Sequence, residues 1–276
     1  MPDTRNVLVT GASTGIGRAT AQHLKSRGFH VIAGVRKEAD GAELTAQGVE
    51  IALIDVTDQA TIEAAAKQVG ERPLAGLVNN AGVAIGGPLE YLPIDKLRQQ
   101  LEVNVVGLVA TTQALLPALR RATGRVVNIG SVGGRVASGF VGPYHASKHA
   151  VEAITDAWRQ ELAPWGLKVV VVEPGAVSTP IWSKGSDQVR ETRETLVPEA
   201  QERYGRAIAA FDGIMAKMDR MGIEPVKVAQ VVEKALTARN PRPRYLVGTD
   251  AHLQLGLKTV LPTRVFDAAT RKLMGA

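Results

Sequence analysis

The stretch RNVLVTGASTGIGRATAQHLKSRG, residues 5–28, passes from a strand through a glycine-rich turn into a helix. Val7, Leu8 and Val9 form the short apolar run of a buried strand. Gly11, Gly15 and Gly17 follow in the spacing G-x-x-x-G-x-G. Glycines at such a turn let the backbone bend sharply and come close to a pyrophosphate. A helix starting near Gly15 would offer that anion its free N–H groups and the positive end of its dipole. Glycines alone mark any turn. A strand before them and a helix after them supply the context that phosphate binding needs.

The pattern repeats down the chain. FHVIAGVRK (29–37) reads as a second strand. In a dinucleotide-binding fold the residue at its end meets the adenine ribose. An acid there bonds the 2′-hydroxyl, whereas an arginine accepts a 2′-phosphate. Here Val35 is followed by Arg36, whose forked guanidinium suits a phosphate. NADP(H) is therefore expected over NAD(H). EIALIDVTD (50–58) is a third strand, and TIEAAAKQVGE (61–71) is a helix with Thr57 or Asp58 near its cap. Asp55 either accepts a hydrogen bond from the adenine amino group or caps that helix. LAGLVNNAG (74–82) is a fourth strand, whose small Ala81 and Gly82 leave room for a ring or ribose. Residues 90–122 are a long helical stretch that breaks or restarts around Pro93 and Ile94. Asn104 lies among apolar residues within it. A buried asparagine needs partners, so it serves either helix packing or the holding of a water.

GRVVNIGS (124–131) is a fifth strand and LKVVVVEPGAVSTP (167–180) a sixth. The unbroken valine run suits a strand covered on both faces. Between them lies SVGGRVASGFVGPYHASK (131–148), in which Tyr144 and Lys148 are four residues apart in a helix opened by Pro143. They share a face. A free tyrosine titrates near ~10, and a neighbouring ammonium is expected to lower that value and make the phenol a usable acid–base group. Ser131 is placed to hold a substrate oxygen beside it.

The 45% hydrophobic content of the 276-residue chain is that of a globular protein. There is no cysteine, which excludes disulfides and thiolate metal sites and suits a reducing cytosol. The chain enters its first strand without a charged-then-apolar leader, and no run approaches the ~20 apolar residues of a membrane span. A cytoplasmic location is expected. The net charge is +6, but lysines and arginines are scattered among acids and aromatics make up only 4%. Nucleic-acid binding is therefore not expected.

TGASTGIG, NNAG, Asn104, Ser131, YHASK and EPG, in this order, resemble the short-chain dehydrogenase/reductase family across residues 5–180. The resemblance implies an α/β Rossmann-type doubly wound parallel sheet of about seven strands, order 3-2-1-4-5-6-7, with helices on both faces. It implies a catalytic tetrad. Tyr144 is the acid–base, Ser131 positions the substrate oxygen, Lys148 lowers the tyrosine pKa and holds the nicotinamide ribose, and Asn104 supports a water linked to Lys148. The cofactor would lie along Gly11, Ser13, Thr14, Gly15, Ile16 and Gly17. Arg36 would meet its 2′-phosphate, Asp55 and Val56 its adenine, and Asn79, Ala81 and Gly82 its ribose region. Pro174, Gly175, Val177 and Thr179 would hold its nicotinamide end. His145 is given no role. A non-enzymatic dinucleotide sensor of the same fold is the alternative, and the intact Ser-Tyr-Lys set argues against it.

Residues 180–225 are expected to form a substrate cap. Ile181, Trp182, Leu196, Tyr204, Ile208, Phe211, Met215 and Met218 either line it or pack the helices. EPVKVAQVVEKALTAR (224–239) is a helix and PRPRYLVG (241–248) a seventh strand. One domain is expected over 1–276, with an extension at about 249–276. The PRPRYLVGTDA segment resembles the steroid and retinol dehydrogenase branch, which implies a hydrophobic alcohol or ketone substrate. A homodimer or homotetramer is expected. The extension's apolar residues would close the pocket, form a dimer face or rest peripherally on lipid.

Overall fold

A computed structural model describes residues 5–181 and 197–273. Seven parallel strands form one sheet: β1 (Asn6–Val9), β2 (His30–Val35), β3 (Glu50–Leu53), β4 (Leu74–Asn79), β5 (Arg125–Ile129), β6 (Lys168–Pro174) and β7 (Arg244–Val247). Their order is β3-β2-β1-β4-β5-β6-β7, as the sequence led us to expect. Ten helices surround the sheet among the described residues: α1 (Gly15–Ser26), α2 (Ala42–Ala46), α3 (Gln59–Val69), α4 (Ile94–Leu101), α5 (Gly107–Ala122), α6 (Gly142–Glu161), α7 (Pro198–Met221), α8 (Pro225–Thr237), α9 (Thr249–Val260) and α10 (Thr263–Leu273).

Side chains alternate across each strand, so an all-parallel sheet buries both faces. Val7 and Val9 of β1, Val31, Ala33 and Val35 of β2, and Val170 and Val172 of β6 face α1 and α8, where they meet Ala21, Leu24, Val228 and Val232. Leu8, Ile32 and Val169 point the other way, into Ile62 and Val69 of α3 and Leu115 and Leu119 of α5. Val169 through Val172 are each at most 2% exposed, and burying each contributes about 1.5–3 kcal/mol. This two-sided burial is why the strands read as continuous apolar runs.

The helical stretch restarts at Ile94, behind Pro93. It then runs through a single π-turn at Glu102–Val106 into α5. By length and composition Ile94–Ala122 is apolar enough to cross a membrane, although the sequence offered no such run. Here Leu115, Ala118 and Leu119 are buried against the sheet, as in a core helix. The chain order reverses between β1 and β4. In an open parallel sheet this reversal leaves a crevice beyond the strand ends, where ligands bind.

Asp58, not Asp55, caps α3, its carboxylate accepting from the Ala60 N–H at 2.9 Å. In the cap region α7 buries Ile208 and Phe211 against Phe140 and Val141, with Tyr204 and Met218 alongside. Trp182, Leu196 and the side chain of Met215 lie outside the described residues. The C-terminal extension packs Ala251 and Phe266 on Val132 and Val136, just after Ser131. Leu253, Leu257, Val260 and Val265 are left exposed.

Candidate active site

A cleft of about 700 Å³ opens at the β1/β4 switch point. Its first wall is the turn after β1. Gly11 has φ +63°, and a Cβ there would come within 2.8 Å of the Ala81 Cα. Ser13, Thr14, Gly15 and Ile16 continue this wall. Thr14 precedes α1, and among the described residues no side chain caps that helix or puts an acid in its first turn. Its leading N–H groups and dipole are left for an anion. Gly17 does not line the cleft. A Cβ on it would overlap the Gly11 carbonyl oxygen and the Asn80 amide, so this glycine is needed for close packing of helix on loop.

Arg36 lies exposed at the end of β2, on the cleft wall beside Asp55 and Val56. Burial pushes the Asp55 carboxyl up. The Thr57 N–H and hydroxyl, at 3.0 and 2.7 Å, and the Arg36 charge outweigh it and leave the acid below its usual range. Asp55 is therefore an ionised acceptor facing the cleft, as an adenine amino group would require.

Asn79 requires a correction. It is 4% exposed and its Nδ2 donates to Thr112 Oγ1 at 2.8 Å and to Asn128 Oδ1 at 2.9 Å, away from the cleft. Asn80, which the sequence reading passed over, has the cleft position. Its Nδ2 donates to the carbonyls of Thr10 and Gly11 at 2.9 and 3.0 Å, fastening the glycine turn to β4. Successive strand residues face opposite ways, so the doublet divides between core and cleft. Ala81 and Gly82 line the cleft beside it.

Ser131, Tyr144 and Lys148 meet at the cleft floor. Ser131 lies two residues past the end of β5 and is 8% exposed. Its Oγ accepts from the Gly133 N–H at 3.0 Å and donates to the Pro174 carbonyl at 3.4 Å. Lys148 Nζ donates to the Ile129 carbonyl at 2.8 Å and stands 5.7 Å from the centre of the Tyr144 ring. Burial pulls this ammonium down to about 8, against the raising effect of Glu152. The expected downward shift of Tyr144 is not found. Burial raises the phenol, and the hydrogen bond with Ser131 only partly opposes it. Desolvation of the phenolate outweighs that hydrogen bond.

Asn104 sits in the π-turn, behind the floor. Its Oδ1 accepts from the Val83 N–H at 2.9 Å. Its Nδ2 donates to the Val83 carbonyl and to Ser147 Oγ, both at 3.0 Å. Both amide protons are thus committed to packing, the first of the two alternatives for this residue. His145 turns from the cleft. Its Nδ1 donates to the Gly133 carbonyl at 2.9 Å and its Nε2 accepts from Ser138 at 3.1 Å, supporting the loop behind Ser131.

Pro174, Gly175, Val177 and Thr179 form the far wall. Asp250, from the first turn of α9, accepts from the Ala176 N–H at 2.7 Å. A Cβ on Gly175 would overlap that carboxylate. No local signal in the sequence links Asp250 to this loop.

The short chain dehydrogenase family model matches residues 5–190. The chain belongs to this family. Retinol dehydrogenase 5 of Mus musculus is 39% identical over 275 residues, covering 95% of this chain and 86% of the relative. The NADPH-dependent 3-dehydrocapnine reductase of Ornithobacterium rhinotracheale is 35% identical over 275 residues, covering 95% of each. Among solved structures, a short chain dehydrogenase from Burkholderia cenocepacia in complex with NADP superposes with TM-score 0.74 at 26% identity, over 98% of this chain and 97% of that one. One from Burkholderia phymatum in complex with NAD gives 0.78 at 26% identity, over 93% of each. Within the family the chain falls in the retinol dehydrogenase-like branch. It is an NAD(P)-dependent oxidoreductase acting on CH–OH groups, and a nicotinamide dinucleotide fits its glycine turn, uncapped helix and Asp55.

Proposed function

We propose that this dehydrogenase interconverts a hydrophobic ketone and its secondary alcohol with NADP(H). The observation that carries the reading is the neutral, buried phenol of Tyr144 beside Ser131. Ser131 Oγ and the Tyr144 hydroxyl together hold the carbonyl oxygen. As that oxygen gains negative charge, Tyr144 delivers its proton, and a phenol kept protonated by burial is ready to do so. Lys148, an ammonium at neutral pH, stabilises the phenolate left behind and holds the nicotinamide ribose. A nicotinamide dinucleotide held between the glycine turn and the Pro174 loop would supply or accept the hydride. The proton is returned along the Lys148 side of the site from solvent.

Ile208 and Phe211 of α7 are spent on packing against Phe140 and Val141 and do not line the cleft. A hydrophobic substrate is supported instead by the name of the mouse relative, a retinol dehydrogenase. The preference for NADP(H) rests on Arg36 at the end of β2, where no acid stands, and the Ornithobacterium relative is named NADPH-dependent. Arg36→Ala is expected to weaken NADPH binding by about tenfold or more, the loss of a charge-assisted hydrogen bond, and to leave NADH nearly unchanged. Equal losses measured by nicotinamide fluorescence would sink the assignment. The activity itself is tested with NADPH and NADH against a panel from small aliphatic ketones to steroid and retinoid carbonyls. Turnover confined to small polar carbonyls would overturn the substrate class. The π-turn before α5, where Val106 is 49% exposed, supports a homodimer or homotetramer, whose mass light scattering would give.

A further inference from the structure

Two carboxyl groups lie behind the site and take no part in the chemistry above. Tyr144, Lys148, Glu152 and Asp156 recur every four residues along α6 and share one face. Glu152 lies beneath the start of the Ser131 loop, where a Cβ on Gly130 would stand 3.2 Å from its Oε1. Glu173, 1% exposed, immediately precedes Pro174 and Gly175. The two acids thus sit under both loops of the cleft floor.

The surrounding charges do not neutralise them fully. Arg244 of β7 places Nε 3.0 Å from Glu152 Oε2 and 3.7 Å from Glu173 Oε1, while its Nη2 is 2.6 Å from Asp156 Oδ2. Arg135, after Ser131, comes no nearer to Glu173 than 3.8 Å. Arg159 is engaged with Asp156 at 2.6 Å. On α6 Glu152 has Lys148 on one side and Asp156 on the other, and Asp250 of α9 holds the Gly175–Ala176 loop that follows Glu173. Glu152 Oε1 and both carboxyl oxygens of Glu173 find no hydrogen-bond donor among the described residues. Three bare oxygens on two ionised, buried, adjacent carboxylates would be costly, and like charges at one site suppress ionisation. A single proton makes one of these oxygens a donor to another.

We propose that Glu152 and Glu173 hold one proton between them and act as a positioning pair, setting the charge behind Lys148 and bridging the Ser131 and Pro174 loops. Burial and the charge of Glu173 raise Glu152 to about 7, with Arg244 opposing. As pH rises through that range the pair gains a second negative charge. That charge raises the pKa of Lys148 and keeps it an ammonium to higher pH.

Infrared spectra read the shared proton directly, without substrate or cofactor. At about pH 6, where free carboxyls are ionised, the wild-type protein is expected to show a protonated-carboxyl C=O band that fades toward pH 8. Glu152→Gln and Glu173→Gln should each abolish it, because the new amide donates to the remaining carboxylate. Absence of the band from the wild type overturns the proposal, as does its persistence in both variants, and neither depends on the substrate assigned above. The positioning role rests on that assignment and is read from pH profiles of kcat. Glu152→Gln should bring the alkaline limb down by about one pH unit, while Glu173→Gln, which leaves Glu152 ionised, should retain it. Equal profiles for both variants would reject a charge effect on Lys148 even where the shared proton is confirmed.

Discussion

Tyr144→Phe is expected to lower turnover by about 10²–10⁴-fold, the usual worth of a positioned acid or base, with NADPH binding nearly intact. The substitution removes one oxygen and keeps the ring in its slot beside Lys148. Ser131 retains its bonds to Gly133 and Pro174, and Lys148 retains the Ile129 carbonyl. The glycine turn and Arg36 lie elsewhere on the cleft wall, so the cofactor's phosphates are undisturbed. Stopped-flow NADPH oxidation beside a fluorescence titration separates the two effects. Wild-type turnover in the variant would mean that the proton comes from another group.

Gly17→Ala is expected to have the next largest effect, on binding rather than turnover. The added methyl meets the Gly11 carbonyl and the Asn80 amide. Gly11 cannot yield easily, since its own backbone is left-handed and pressed on Ala81. The turn must move, and with it the N–H groups aimed at the pyrophosphate. Overpacking costs about 1–3 kcal/mol, and a displaced cradle adds lost affinity, so NADPH binding should weaken at least tenfold and Tm should fall. Gly256→Ala is the comparison. Gly256 lies in α9 with nothing within 4 Å of its added Cβ, and this change should raise stability by up to about 1 kcal/mol. Equal NADPH affinity in the Gly17 variant and the wild type would remove the turn from the binding site.

The sequence disclosed the sheet because doubly buried strands such as Val169–Val172 are written as plain apolar runs. It disclosed the floor of the cleft because Tyr144 and Lys148 are neighbours on one helix, a relation that spacing alone expresses. It divided the Asn79–Asn80 doublet wrongly, because which of two adjacent residues faces the core depends on where the strand stops. The π-turn at Asn104 was illegible, since one extra residue in a turn barely disturbs an apolar period. The direction of the Tyr144 shift was missed for a different reason. Charge can be read from residue types, but desolvation depends on what the rest of the chain packs around the group. Asp250 and Arg244 were unreadable as supports of the site because they reach it from far along the chain.

Those two late residues set the moment at which the protein becomes competent. All the groups assigned to acid–base work have been synthesised once residue 148 is made. The strand bearing Arg244 and the carboxylate that holds the Ala176 N–H come about a hundred residues later, roughly 5–20 s at ordinary translation speeds. Until they arrive, the loop meant for the nicotinamide lacks its anchor. The chemistry is therefore written early and switched on last, so an unfinished chain on the ribosome carries the whole reactive set yet has no assembled place to use it.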